Sequence, residues 1–137
     1  MVFFHLLKET LCKTTLGSFE QVNIERSLKL GDEIGGHLLS GHVFGTAILT
    51  AREGEVFCFG CDSEFCKYLF PKGYLAIDGA SLTVVKAGPA HFEVHLIPET
   101  LSRTTLGTKK IGDRVNVEFD SQTVTIVDTL QRHAILA

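Results

Sequence analysis

No apolar run in this sequence approaches the roughly 18 residues that a membrane-crossing helix needs. No basic segment near the N-terminus leads into an apolar stretch and a cleavage site. The expectation is a cytoplasmic protein with no membrane partner. A surplus of basic charge is lacking too: the formal net charge is −3, and Lys and Arg are scattered rather than striped. That leaves no electrostatic footprint for nucleic acid. Cys58-Phe-Gly-Cys61, with Cys66 close behind, has the spacing of a metal or redox pair. It lies inside a strand pattern, however, with no second pair or partner His at ligand spacing, so neither a metal nor a disulfide is expected. At 137 residues and 45% hydrophobic, the chain can bury one sizeable core and has no room for two full domains. No nicotinamide-binding glycine motif is present.

What is present is a repeat. From His5 to Gly17 and from His95 to Gly107, nine of thirteen positions are identical at a constant offset of ninety. Three of the other four are mild exchanges: Leu7/Ile97, Cys12/Ser102 and Lys13/Arg103. Further on, Val22-Asn-Ile-Glu25 matches Val115-Asn-Val-Glu118, with three fewer residues in between. This reads as a duplicated structural unit. Each copy is a strand followed by a short helical turn. Phe92, Val94 and Leu96 alternate with Glu93, His95 and Ile97, which sends the first set into a core and the second to the opposite face. Pro98 then opens a helix, where its missing N–H is no loss. Ile97 and Thr100 are therefore expected together at a strand end.

The two copies differ in what precedes them. About ninety residues of strand-like sequence lead into the later copy, against four before the earlier one. The chain reads as three parts: 1–28, the remnant of a first unit; 29–122, a complete second unit; and 123–137, a helical tail. Strands are expected at Gln21 to Glu25, His42 to Thr50, Val56 to Gly60, Tyr74 to Ile77, Ser81 to Lys86, His91 to Ile97 and Arg114 to Asp120, with turns at Asp78-Gly79 and Gly88-Pro89. Asp62-Ser63 caps a short helix, Glu64 to Phe70, and a second helix runs from Glu99 to Thr104. The six strands of the second unit, with small helices between them, predict an all-β fold, a closed antiparallel Greek-key barrel. Ile126 to Ala137 carries a stripe of Val127, Leu130 and Ala134 that either packs on the barrel or meets its counterparts in an oligomer.

Alternation along Ser81 to Val85 sends Leu82 and Val84 inward and Ser81 and Thr83 outward together, on the face that carries Ile97. An apolar platform beside several hydroxyls suits a flat heteroaromatic ring bearing a polyol chain. The bland reading is a solvated strand face. His42, Lys72 and Asp120 add titratable groups for proton transfer where they converge.

Four ordered motifs, Gly35-Gly-His-Leu-Leu-Ser-Gly-His42, Ile77-Asp-Gly-Ala-Ser-Leu-Thr-Val84, His95-Leu-Ile-Pro-Glu-Thr-Leu-Ser-Arg-Thr-Thr-Leu-Gly107 and Val115-Asn-Val-Glu-Phe-Asp120, resemble the second domain of the riboflavin synthase alpha-chain family. The resemblance implies a six-stranded Greek-key barrel and transfer of a four-carbon unit between two molecules of 6,7-dimethyl-8-ribityllumazine. The products would be riboflavin and 5-amino-6-ribitylaminouracil, with no metal or redox cofactor. It implies lumazine binding by Ser81, Thr83, Ile97, Thr100 and Asp120, with Lys72, Asp78 and His42 at the edge of the site. His42, Ser81 and Asp120 are the candidates for catalysis, and Lys8 and Thr10 stand for the first barrel. In the family the two lumazines face each other across two barrels and three subunits associate. This sequence retains only the end of the first barrel, so a dimer of second barrels is an alternative assembly. The alternative functions are a lumazine- or flavin-binding module without turnover, and a barrel that only assembles with partners.

Overall fold

The computed structural model describes residues 5–17 and 21–134. The four residues before the early copy, residues 18–20 and the last three of the expected terminal helix lie outside that range. Six strands, β1 (Gly45–Glu53), β2 (Val56–Gly60), β3 (Tyr74–Ile77), β4 (Ala80–Ala87), β5 (His91–His95) and β6 (Arg114–Phe119), close into an antiparallel barrel in the order β1-β2-β5-β4-β3-β6. The expected fold class holds. Helices α1 (Lys8–Lys13), α2 (Pro98–Arg103) and α3 (Ser121–Ala134) lie outside the strands, with two 3-10 helices at Ser63–Tyr68 and Thr105–Thr108.

The period of two in each strand fills the barrel. Leu49, Phe57, Phe59, Leu75, Ile77, Phe92, Val94, Val115 and Val117 are all fully buried. Phe59 stacks between Phe57 and Phe92, with ring centroids 6.4 and 5.4 Å away. Phe44, Phe65 and Tyr68 gather around Phe119. Register shifts between Leu49 and Ala51 and between Val84 and Lys86 give the local bends that closing so small a barrel requires. Asp62 caps the first 3-10 helix as expected, its carboxylate accepting the Glu64 N–H at 2.9 Å.

Three expectations need correction. β1 begins at Gly45 rather than His42, because the preceding loop crosses the outside of the barrel and the N–H groups of Ser40 and Gly41 bond to the Glu118 carboxylate, at 2.7 and 3.1 Å. The terminal helix starts at Ser121, five residues earlier than expected, because Asp120 caps it through the N–H and hydroxyl of Thr123 at 2.8 and 2.9 Å. Its barrel-facing residues are Val124 and Val127, while Leu130 is exposed. Asp128 fastens the helix to Tyr68 and Lys67, at 2.7 and 3.2 Å. Finally, Gln21 to Glu25 joins no sheet.

Candidate functional site

Three strand registers define an outer face at one end of the barrel. In β3 and β4, Tyr74 stands opposite Thr83 and Ala76 opposite Ser81. In β3 and β6, Ala76 stands opposite Glu118, and two residues further Asp120 reaches the level of Tyr74. The β4–β5 register sets Val84 opposite Val94; carried three residues on, it brings Ile97 to the level of Ser81. Two rows result on the same outward face, Asp120-Tyr74-Thr83 and Glu118-Ala76-Ser81-Ile97. Ile97 is 62% exposed, and Thr100 follows it on α2.

A strap of residues 36–41 covers part of this face. A Cβ on Gly36 would lie 2.5 Å from the Ser81 Oγ, so only glycine lets the strap approach so closely. His37 follows and stacks on Tyr74, with ring centroids 5.5 Å apart at 17°. Ser81 Oγ accepts the His37 backbone N–H at 3.1 Å and lies 2.7 Å from His37 Nδ1. The tautomer of His37 sets which of the two groups donates in that contact. His37 Nε2 is buried and has no hydrogen-bond partner among the described residues. Burial holds the His37 pKa below the ordinary histidine range, against the opposing pull of Asp120 and Glu118. At neutral pH the ring is uncharged. Glu118, almost fully buried, ties the strap down through Ser40 and Gly41.

The expected residues divide clearly. Ser81, Thr83, Ile97, Thr100 and Asp120 share one end of the barrel. Asp120 Oδ2 is committed to the α3 cap. Lys72 is exposed at positive φ, its N–H bonded to Val84 O at 2.7 Å. His42 does not reach Ser81: it is exposed, and its Nδ1 lies 3.1 Å from Ser40 Oγ. The histidine at Ser81 is His37, and the signal for it was the Gly35-Gly36 pair that lets the chain close on the sheet.

Asp78 is a fold anchor rather than a free ligand group. It turns at φ 46°, accepts the Asn116 N–H at 2.7 Å and pairs with Lys109 at 3.2 Å. Lys8 is exposed on α1, and Thr10 serves through its carbonyl, which accepts the Thr14 hydroxyl at 2.7 Å. A separate cleft of about 660 Å³ lies between residues 21–25 and 101–105, and none of Ser81, Thr83, Ile97, Thr100 or Asp120 lines it. Burial first, and then Cys66 beside it, pushes the Cys61 thiol up to about 12, so it is no nucleophile at neutral pH. Among the described residues, no helix is long and apolar enough to cross a membrane.

Residues 40–120 match the lumazine binding domain family. The chain is 53% identical over 134 residues to the riboflavin synthase of Chlamydia pneumoniae, covering 96% of this chain and 67% of that one. The chain belongs to the riboflavin synthase family. The Escherichia coli (strain K12) riboflavin synthase is 52% identical over 139 residues, covering 96% of this chain and 65% of the relative. This member of the family thus spans about two thirds of the length of its curated relatives. Among solved structures, the crystal structure of LumP complexed with riboflavin superposes with a TM-score of 0.69 at 23% identity, over 82% of this chain and 65% of that one. LumP complexed with 6,7-dimethyl-8-(1'-D-ribityl) lumazine gives 0.66 at 22%, over 82% and 64%. These two likenesses bear on the barrel fold alone.

Proposed function

We propose that the chain supplies one lumazine-binding barrel of a riboflavin synthase. In the reaction, one 6,7-dimethyl-8-ribityllumazine gives four carbons to a second, and the pair leaves as riboflavin and 5-amino-6-ribitylaminouracil. Carbons and electrons balance between the two substrate molecules, so the reading invokes no metal or redox cofactor. The observation that carries it is the pair of outward rows that join Ser81, Thr83, Ile97 and Asp120 at one barrel end.

In this reading the hydroxyls of Ser81, Thr83 and Thr100 and the carboxylate of Asp120 hold the ribityl chain, and Ile97 lies under the ring. Lys72 stands at the rim. His37, bonded to Ser81 and with its Nε2 free of partners among the described residues, takes the proton-handling role expected of His42. Residues 1–28 are the end of a first lumazine-binding barrel, 29–122 the second, and 123–137 a helix that serves assembly. Two lumazines must meet face to face, so the working form is a homo-oligomer, either a trimer or a dimer of second barrels. A cytoplasmic location fits the four cysteines, which are free thiols.

The test is to incubate the purified chain with dimethylribityllumazine and follow substrate loss and riboflavin formation by absorbance and fluorescence. Protein-dependent riboflavin supports turnover. A shift in lumazine fluorescence without riboflavin supports a binding half-site only, and no shift at all overturns the assignment. The Ser81→Ala, Thr83→Ala double variant is expected to weaken lumazine binding by at least about tenfold, equivalent to one to two hydrogen bonds; unchanged affinity would remove this face from consideration.

A further inference from the structure

Among the described residues, Glu118 is the only charged one that is buried, at 7% exposed, and the proposed reaction makes no use of it. It stands on the outer face of β6, in the row that runs through Ala76 to Ser81. Ala76 is on that outer face too, yet it is only 1% exposed, because the strap crosses there. The strap is pinned on both sides of the crossing. At one end Gly36 and His37 close on Ser81. At the other, Glu118 Oε1 accepts the Ser40 N–H at 2.7 Å, the Ser40 hydroxyl at 2.9 Å and the Gly41 N–H at 3.1 Å. A glutamine would offer the same acceptor oxygen without the cost of burying a charge. No Lys or Arg pairs with Glu118 among the described residues, and the charge it meets from residues 21–25 is the Glu25 carboxylate, of the same sign.

We propose that Glu118 is a positioning residue for this site: its carboxylate holds the strap that carries His37 against Ser81, and its negative charge steadies the His37 ring when that ring takes up a proton. The second role gains its purpose from the reading of His37 as the proton-handling group. Burial disfavours the charged ring, and Asp120 first and then Glu118 favour it. Tyr74 stacks on the ring at 5.5 Å, and His42, on the strap itself, is exposed and bonded to Ser40. Of the two carboxylates, Asp120 shares its Oδ2 with Thr123 and is the one expected to bind ligand. Glu118 lies under the strap, where a charge is screened by salt and water far less than at the surface.

Titration of the His37 ring by NMR, with His37→Gln to assign its signal, tests the charge without lumazine or turnover. In Glu118→Gln the midpoint is expected to move to lower pH. The Ser40 and Gly41 amides of that variant are expected to exchange with solvent less than about tenfold faster than in the native chain, because glutamine still accepts hydrogen bonds, though without the strengthening that charge gives. In Glu118→Ala the same amides are expected to exchange at least about tenfold faster. An unmoved midpoint in Glu118→Gln overturns the proposal. So does a strap that stays closed in Glu118→Ala, or one that opens as far in Glu118→Gln as in Glu118→Ala. If the midpoint moves but the acid limb of lumazine turnover does not, Glu118 sets the charge on His37 as proposed, and it is the reading of His37 as the proton-handling group that falls.

Discussion

Residues 7–17 and 97–107 are built alike and buried differently. Leu7 and Ile97 precede their helices at nearly the same backbone angles, φ −78° and −70°, ψ 156° and 155°. Thr14 and Thr104 follow at φ −122° and −118°. Each threonine donates its hydroxyl to the carbonyl four residues back, at 2.7 and 2.8 Å, and accepts the N–H two residues on at 3.3 Å. Glu9 pairs with Lys13 as Glu99 pairs with Arg103. The two copies even exchange partners: Asn116 accepts the Thr15 N–H and Asn23 accepts the Thr105 N–H, both at 2.8 Å. Yet Leu106 is fully buried and Leu16 only partly, and no described residue from 5 to 44 is buried. Local hydrogen bonding shapes the turn in both places, and surrounding strands make one of them a core.

Truncating the paired leucines should separate these contributions most widely. Leu106→Ala is expected to cost about 3 kcal/mol, through lost burial and a residual cavity, and Leu16→Ala less than about 1 kcal/mol; urea unfolding of both variants measures the gap. Equal costs would mean that the early copy has a core of its own.

The paired glycines come next. A Cβ on Gly107 would collide with the Leu101 carbonyl, whereas Gly17 has open space. Gly107→Ala is therefore expected to lower stability by about 2 kcal/mol, and Gly17→Ala to be neutral or to stabilise by less than about 1 kcal/mol, as read by thermal melts.

The exchanged asparagines give a smaller contrast. Asn23 makes two hydrogen bonds to the barrel and the Asn116 side chain makes one to the early copy. Asn23→Ala should cost about 1–2 kcal/mol and Asn116→Ala about half that. Amide exchange should show faster opening near Thr105 in the first variant and near Thr15 in the second.

The smallest effect expected is that of pH on the stretch 21–25. Burial first, and then the Glu118 charge, raises the Glu25 pKa above the ordinary carboxylate value. A raised acid pKa means that the folded form holds its proton more tightly. Docking of the stretch is then strongest where both states are protonated, and it weakens as pH climbs from the ordinary carboxylate range through the raised value. Limited proteolysis should cut this stretch faster at pH 7.5 than at pH 5, and Glu25→Gln should remove the difference.

Much of the barrel was legible in the sequence because alternation is strict where strands line a core. β3, β5 and β6 and helix α2 fall within a residue or two of expectation. What escaped depended on contacts between distant residues. β1 starts late because Glu118, some eighty residues away in sequence, captures the backbone of Ser40 and Gly41. Asp120, expected to bind ligand, also caps α3, and the run of β-branched residues from Thr123 to Val127 hid that helix start. Asp78 read as part of a site motif because its role lies in a left-handed turn and an ion pair with Lys109. Ser81 and Thr83 were legible from period alone, whereas His37 required knowing that a strap would fold back over them.

Asn23 is held by groups that the ribosome makes late. Its partners Asp78 and Thr105 follow it by 55 and 82 residues. At about 5–20 residues per second, the stretch waits roughly 4–16 seconds for the complete surface that receives it. During that interval Val22, Ile24, Leu28 and Leu30 are presented to the cell by a nascent chain. The order of synthesis thus leaves this stretch open to capture by a chaperone before any part of the barrel can compete for it.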